Sequence, residues 1–167
     1  MMFAVAALGA SQPAPQAIRL GVAFDDGGSP VADGQETSLS AVAGQVPFTV
    51  YLPEVAAASD ASVAHVWVRT TWLPEVYIEY RSGVIVIERA PQIDQAAFFR
   101  EETQAGYANV STLDGLPVLI YAANDKGSSG SVQFTVGGTS AQVIGDLSVP
   151  ASSLSDAASS IIGSAGS

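Results

Sequence analysis

The chain has 167 residues and carries a formal net charge of −10, from 16 acidic and 6 basic side chains. The basic residues are scattered, which argues against the Lys/Arg patch of a nucleic-acid-binding protein and disfavours attachment to anionic lipid. Cysteine is absent, which excludes disulfides, thiolate metal sites and a cysteine nucleophile. With 48% hydrophobic residues, the composition predicts one folded, acidic domain.

Residues 1–17 combine an apolar start of about ten residues with a Pro-rich linker. Ten residues are too few to span a bilayer, which takes about 20. Small residues at Ala7, Gly9 and Ala10 are typical of a signal-peptidase region. We interpret residues 1–10 as a truncated signal peptide or the end of a longer membrane helix; the alternative is a disordered or strand-forming terminus.

The next segments predict a strand at residues 18–24, a Gly-rich loop at 25–38 and a short helix at 38–44, capped by Ser38 or Ser40. Residues 46–53 are bounded by prolines and predict an extended segment. Residues 62–70 alternate between apolar and polar or aromatic side chains, which predicts a half-buried strand.

The strongest structural signal is a hairpin around Ser82-Gly83, flanked by residues 76–81 and 84–89. A two-residue loop with Gly at a positive φ suits this pattern. The resulting register pairs Tyr80 with Ile85, Glu79 with Val86 and Ile78 with Ile87. One face of the hairpin is then core, and the other, which carries Glu79 and Glu88, is mixed and partly wet.

A second hairpin is predicted around Gly137-Gly138, from residues 131–136 and 139–144. Its register sets Val132 opposite Val143, Phe134 opposite Ala141, and Gln133 opposite Gln142 on a polar face. Two further strands, at residues 107–111 and 116–123, are predicted around the turn Asp114-Gly115. Together these segments predict an antiparallel sheet built from hairpins.

Two short helices complete an α+β fold. Residues 94–105 predict a helix with Asp94 as N-cap, a stop at Gly106 and two Phe side chains that anchor it to the sheet. Residues 153–162 begin with a capping-box-like Ser153-x-x-Asp156. One face of this second helix carries Leu154, Ala157, Ala158, Ile161 and Ile162. We expect a single domain over residues 18–162 and a flexible tail at 163–167.

The residue types that catalysis needs are sparse. A Ser-His-Asp arrangement would depend on His65, the one histidine, which we interpret as an ordinary strand residue. Asp25, Asp26 and Asp33 form an acidic loop without EF-hand spacing, more typical of a solvated turn than of a calcium site. Glu75, Glu79 and Glu88 are interpreted as solubilising surface groups. We therefore predict no enzyme, cofactor or metal site.

Four aromatic residues are the candidate binding surface: Trp67, Trp72, Tyr77 and Tyr80. They cluster around two neighbouring predicted strands and the turn that joins them. Core packing explains most such rings, but aromatic side chains also supply contact area at low entropic cost.

The order of segments resembles a known family. It begins with Pro-Phe-x-Val-x-Leu-Pro at residues 47–53 and the hairpin VYIEYRSGVIVIER at 76–89, and continues with the helix, the DGLPV turn at 114–118, a hairpin and a C-terminal helix. Together they resemble bacterial extracytoplasmic domains of unknown function in anti-sigma-factor-like and envelope-associated membrane proteins. The resemblance covers residues 39–162. It implies an α+β fold, export or membrane attachment, and no catalytic residues.

From these observations we expect an extracytoplasmic binding or sensing module, secreted or attached to the cell membrane through an N-terminal or upstream segment. Its partner would be a protein or a small molecule outside the cytoplasm. A structural domain for envelope assembly, pairing through sheet edges or the aromatic surface, is the alternative. A hydrolase using Glu79 or Glu88 with His65 is the third hypothesis. The ligand and the oligomeric state stay open.

Overall fold

A computed structural model describes residues 34–55, 58, 62–70, 74–91, 94–123 and 130–166. Within these residues the chain forms eight strands and three helices, which confirms the α+β prediction. The elements in chain order are β1 (Gln35–Glu36), α1 (Leu39–Val42), β2 (Val63–Arg69), β3 (Glu75–Tyr80), β4 (Val84–Arg89), α2 (Gln95–Gln104), β5 (Asn109–Leu113), β6 (Leu116–Tyr121), β7 (Ser131–Val136), β8 (Thr139–Gly145) and α3 (Ala151–Ala165). The predicted strand at 18–24 and the acidic loop with Asp25, Asp26 and Asp33 lie outside the described residues.

The strands form one antiparallel sheet in the order β1-β2-β3-β4-β8-β7-β6-β5. The order contains two meanders, β1 to β4 and β5 to β8, which meet where β4 pairs with β8. Helix α3 covers one face of this sheet, and α2 packs against the other. We call them the α3 face and the α2 face.

The β7–β8 hairpin has the predicted register. Val132 lies opposite Val143, Phe134 opposite Ala141, and Gln133 opposite Gln142. Gly137 and Gly138 have φ of 54° and 80°, the positive values that a two-residue hairpin turn requires. The glutamines do share a polar face, but they are buried on it.

The β3–β4 register differs from the prediction by one residue. Its loop contains three residues, Arg81 to Gly83, in which Gly83 N donates to Tyr80 O and Gly83 takes a φ of 85°. Ile78 therefore pairs with Val86 and not with Ile87. Because side chains alternate, this shift moves the even-numbered residues of β4 onto the α3 face with Ile78 and Tyr80.

The α3 face carries the main hydrophobic core. Helix α3 buries the five predicted residues, Leu154, Ala157, Ala158, Ile161 and Ile162. Its start differs from the prediction, because the helix begins at Ala151 behind Pro150 and no side chain caps it. It also continues to Ala165, into the segment expected to be a tail.

Helix α2 confirms its predicted boundaries. Asp94 Oδ1 accepts from Ala97 N at 2.8 Å, and Gly106 ends the helix with a φ of 72°. Phe99 packs against Leu119 and Tyr121 on the α2 face. These contacts fix α2 above the β5–β6–β7 part of the sheet.

The remaining predicted elements agree in kind and differ in detail. Ser38 occupies the N-cap position of α1 but makes no capping bond from its side chain. The extended segment at residues 46–53 forms no helix or strand and packs on the α3-face core. Strand β5 begins at Asn109, two residues later than predicted, and β6 ends at Tyr121.

Candidate binding site

The four aromatic residues proposed as a surface do not share one face of the sheet. Trp67 and Tyr77 meet edge to face on the α2 face, with ring centroids 5.2 Å apart. Tyr80 lies in the α3-face core and is only 1% exposed. Trp72 lies outside the described residues. Since Tyr77 is also buried, the described part of this surface is reduced to the partly buried Trp67.

The acidic residues considered for catalysis are separated by the sheet. Glu79 lies on the α2 face opposite His65, whose Nδ1 is 3.0 Å from Glu36 Oε1. Glu88 is fully buried on the α3 face. The prediction that Glu79 and Glu88 share a face was wrong, because it assumed a two-residue hairpin loop. These two carboxyl groups therefore cannot act together on one substrate.

Glu88 holds the extended segment against the core. The backbone N–H of Tyr51 donates to both carboxyl oxygens, each at 3.1 Å. Two residues before Tyr51, the backbone oxygen of Thr49 accepts from Thr139 Oγ1 at 2.7 Å. Burial raises the pKa of Glu88 well above its usual value, and the Tyr51 N–H acts in the opposite direction. Glu88 therefore has a structural role inside the core and is not a surface group.

A charged cluster at one end of the α2 face was not predicted. Glu75 accepts from Arg69 and lies 3.6 Å from Arg89 Nη1, and the three side chains are 5%, 12% and 11% exposed. Burial lowers the pKa of Arg89, while Glu75 raises it and Arg69 lowers it further. The sheet register places the three residues side by side on β2, β3 and β4. Only that register could have revealed the cluster.

Further polar side chains lie beneath α2. Tyr121 Oη donates to Glu102 Oε2 at 2.8 Å, and Gln142 Nε2 donates to Ser131 Oγ at 2.8 Å. A cavity of about 20 Å³ beside Arg89 has room for about one water molecule. The centre of the α2 face is thus polar and buried beneath the helix.

Strand β5 forms one of the two edges of the described sheet, opposite β1. Among the described residues no strand lies beyond it, and four of its five residues are exposed. Asp114 and Gly115 have φ of 49° and 81°, so a two-residue turn connects β5 to β6. The turn makes Leu113–Leu116 a hydrogen-bonded pair, and the bonding pairs then alternate along the ladder. The backbone N–H and C=O groups of Val110 and Thr112 consequently point away from β6.

An apolar groove runs beside this edge, between α2 and the two outer strands. Its volume is about 480 Å³. Val110, which is 52% exposed, and Pro117 contribute from the sheet, and Phe99 contributes from the helix. The remaining lining residues all belong to α2: Gln95, Ala96, Arg100, Thr103 and Gln104. No local sequence pattern predicts this site, because the sheet order that leaves β5 at the edge depends on pairing between strands far apart in the chain.

The described residues contain no group of three or more His, Cys, Asp or Glu side chains that could hold a metal ion. In the same part of the chain, no helix has both the length and the apolar character that crossing a bilayer requires.

Comparisons with known proteins found no relative. No family model, no curated protein and no solved structure matches the chain.

Proposed function

We propose that this chain is a non-catalytic binding module that acts outside the cytoplasm and takes an extended segment of another protein onto strand β5. The observation that carries the proposal is the edge of β5, beyond which no described strand lies, beside the groove along α2. In strand addition, backbone hydrogen bonds supply affinity and pockets for alternate side chains supply specificity.

Strand β5 itself lacks three of the features that usually prevent such pairing. Proteins protect edge strands with charged side chains, prolines or bulges. Residues 109–113 contain neither a charged residue nor a proline, and their pairing with β6 is regular. Phe99 of α2 packs on Leu119 and Tyr121 of β6, which positions the helix beside the edge before a partner binds and so lowers the entropic cost of binding.

The location outside the cytoplasm is supported by the apolar start of the chain and by the family resemblance. A fusion of alkaline phosphatase to the C-terminus of the full-length protein tests it, since this reporter folds to an active enzyme only after export. We expect activity in intact bacterial cells. An inactive fusion in the cytosolic fraction contradicts the location and leaves the β5 site to be judged by its own test.

That test is binding to an array of synthetic ten-residue peptides by the wild type and by Thr112→Pro. Proline removes the outward N–H of residue 112 and is tolerated on edge strands. We expect the variant to lose the peptides that the wild type binds. Ser111→Ala, whose backbone groups face β6, is the control and should keep them. An array that binds nothing, or that binds Thr112→Pro equally well, contradicts strand addition.

A structural role in envelope assembly is the second candidate. The uncharged sequence of β5 favours it, because two copies can pair antiparallel through this strand without like charges facing each other. Light scattering distinguishes the two functions. A dimer that Thr112→Pro converts to a monomer supports self-pairing, and a wild-type monomer that binds peptides supports the module.

A further inference from the structure

We propose that the segment bound at β5 has apolar side chains at every second position and an acidic side chain at one end of that pattern. This inference rests on the proposed function, and it specifies the chemistry of the partner at the same site. Three features carry it: the direction of the outward backbone groups, the lining of the groove, and the charge of Arg100.

The alternation follows from the backbone of β5. Because Val110 and Thr112 carry the outward N–H and C=O groups, an added strand must pair with these two positions. Residues directly opposite each other in a sheet project to the same face. The side chains of Val110 and Thr112 lie on the α2 face, since their partners in β6 are Leu119 and Pro117. Two partner side chains, two positions apart, therefore project toward α2.

The groove determines what those two side chains should be. Val110 and Pro117 present apolar surface on the sheet side, and Ala96 and Phe99 do so on the helix side. A volume of about 480 Å³ lies in the range of about 300–1,000 Å³ that is typical of ligand sites. Aliphatic side chains fill such a lining without leaving polar groups unpaired. The partner residue between them projects to the opposite face, where Ser111 is exposed and polar.

Arg100 is the reason to expect an acidic side chain in the bound segment. It is the one charged residue among those that line the groove. Its guanidinium can form paired hydrogen bonds with a carboxylate, which is the geometry that arginine favours. The chain as a whole carries a net charge of −10, so a strongly acidic partner would be repelled elsewhere. A single acidic side chain within an otherwise neutral segment satisfies both conditions.

Two peptides of identical composition test the alternation. The probe is Ser-Leu-Thr-Leu-Ser-Asp-amide and the control is Ser-Leu-Leu-Thr-Ser-Asp-amide, each with a fluorophore on its N-terminal amine. In the probe the two leucines and the aspartate project to one face. In the control the leucines are adjacent and project to opposite faces, so only one can enter the groove. Fluorescence polarisation should show that the control binds at least about tenfold more weakly, the discrimination expected for one lost apolar contact.

A charge exchange tests Arg100. Arg100→Glu should weaken binding of the aspartate peptide, and it should strengthen binding of a peptide in which lysine replaces the aspartate. Arg81→Glu makes the same charge change in the exposed β3–β4 loop and is the matched control, which should keep the wild type's preference for the aspartate peptide over the lysine peptide.

The outcomes separate this inference from the proposed function. If both peptides bind the wild type equally and both are lost in Thr112→Pro, strand addition stands and the side-chain pattern is wrong. If Thr112→Pro binds as well as the wild type, both proposals are wrong. The alternating pattern is also wrong if neither peptide binds the wild type, while other peptides of the array bind the wild type and not Thr112→Pro.

Discussion

The two faces of this sheet are both buried near its centre, but they are buried by different means. On the α3 face, Ile78, Phe134 and Val143 belong to the hydrophobic core that the apolar side of α3 completes, and the buried carboxyl of Glu88 accepts from a backbone N–H. On the α2 face the same strands bury Glu75 and Gln142 in ion pairs and hydrogen bonds. Successive side chains of these strands therefore alternate between an apolar interior and a polar interior. They do not alternate between an interior and solvent.

The largest effect is expected on the α3 face. Phe134→Ala leaves a cavity at a side chain with 0% exposure and should cost about 3–5 kcal/mol in the free energy of unfolding. Urea denaturation measures it. The control is Ile120→Ala on the same face, where the side chain is 37% exposed and the loss should stay below about 1 kcal/mol. Equal losses for the two variants contradict the description of this face as a close-packed core.

The polar face should respond nearly as strongly to the loss of one charge. Glu75→Gln leaves Arg69 and Arg89 beside each other without their shared carboxylate, which should cost about 3 kcal/mol. Glu79→Gln, on the same strand and face but partly exposed, should change stability by less than about 0.5 kcal/mol. A loss for Glu75→Gln as small as that for Glu79→Gln means that the cluster contributes little to the fold.

The buried carboxyl of the α3 face should make stability depend on pH. The pKa of Glu88 is raised in the folded state, so the unfolded chain loses this proton first as pH rises above about 4.3. The contribution of Glu88 is fully present below that value and is lost as pH rises through the raised pKa. The loss is about 1.4 kcal/mol for each unit by which the folded and unfolded values differ.

Urea denaturation across this pH range should show the decline in the wild type and in Glu79→Gln. It should be absent in Glu88→Gln, which keeps an oxygen for the Tyr51 N–H but cannot titrate. If Glu88→Gln retains the same decline, another group causes it.

The smallest effect concerns the helices that cover the two faces. Asp94→Ala removes the side-chain cap of α2 and should cost about 1 kcal/mol. Ser153→Ala in α3 should be within about 0.5 kcal/mol of the wild type, because no side chain caps that helix. Thermal denaturation of the wild type and both variants measures these two losses of stability. A loss at Ser153 equal to that at Asp94 would show that the α3 start depends on this hydroxyl.

Local signals in the sequence were sufficient for most of the fold. The glycine pair at 137–138 demanded a two-residue turn, and the β7–β8 register was therefore correct. The β3–β4 register was wrong because Ser82-Gly83 fits both a two-residue loop and the three-residue loop that the chain adopts. That single residue decides which face Glu88 occupies, so the interpretation of Glu88 as a surface group failed with it.

The candidate site was less accessible to such reasoning. The exposed edge depends on β8 pairing with β4, which no local pattern encodes and which leaves β5 outermost. The groove depends further on where α2 lies over that edge. By contrast, the aromatic residues are prominent in the sequence, yet Tyr77 and Tyr80 are buried on opposite faces. The aromatic residues that stand out in the sequence thus belong mainly to the core, whereas the candidate binding surface lies on β5.

The junction between β4 and β8 has a consequence for how the molecule assembles. Apart from the long connection between β1 and β2, the strands of each meander can pair by closing short loops, whereas the junction must bring together segments far apart in sequence. A cut between β4 and α2 would therefore give two pieces, each with its own run of neighbouring strands. We expect such pieces, expressed separately, to recombine into the native sheet through β4 and β8, as complementing fragments.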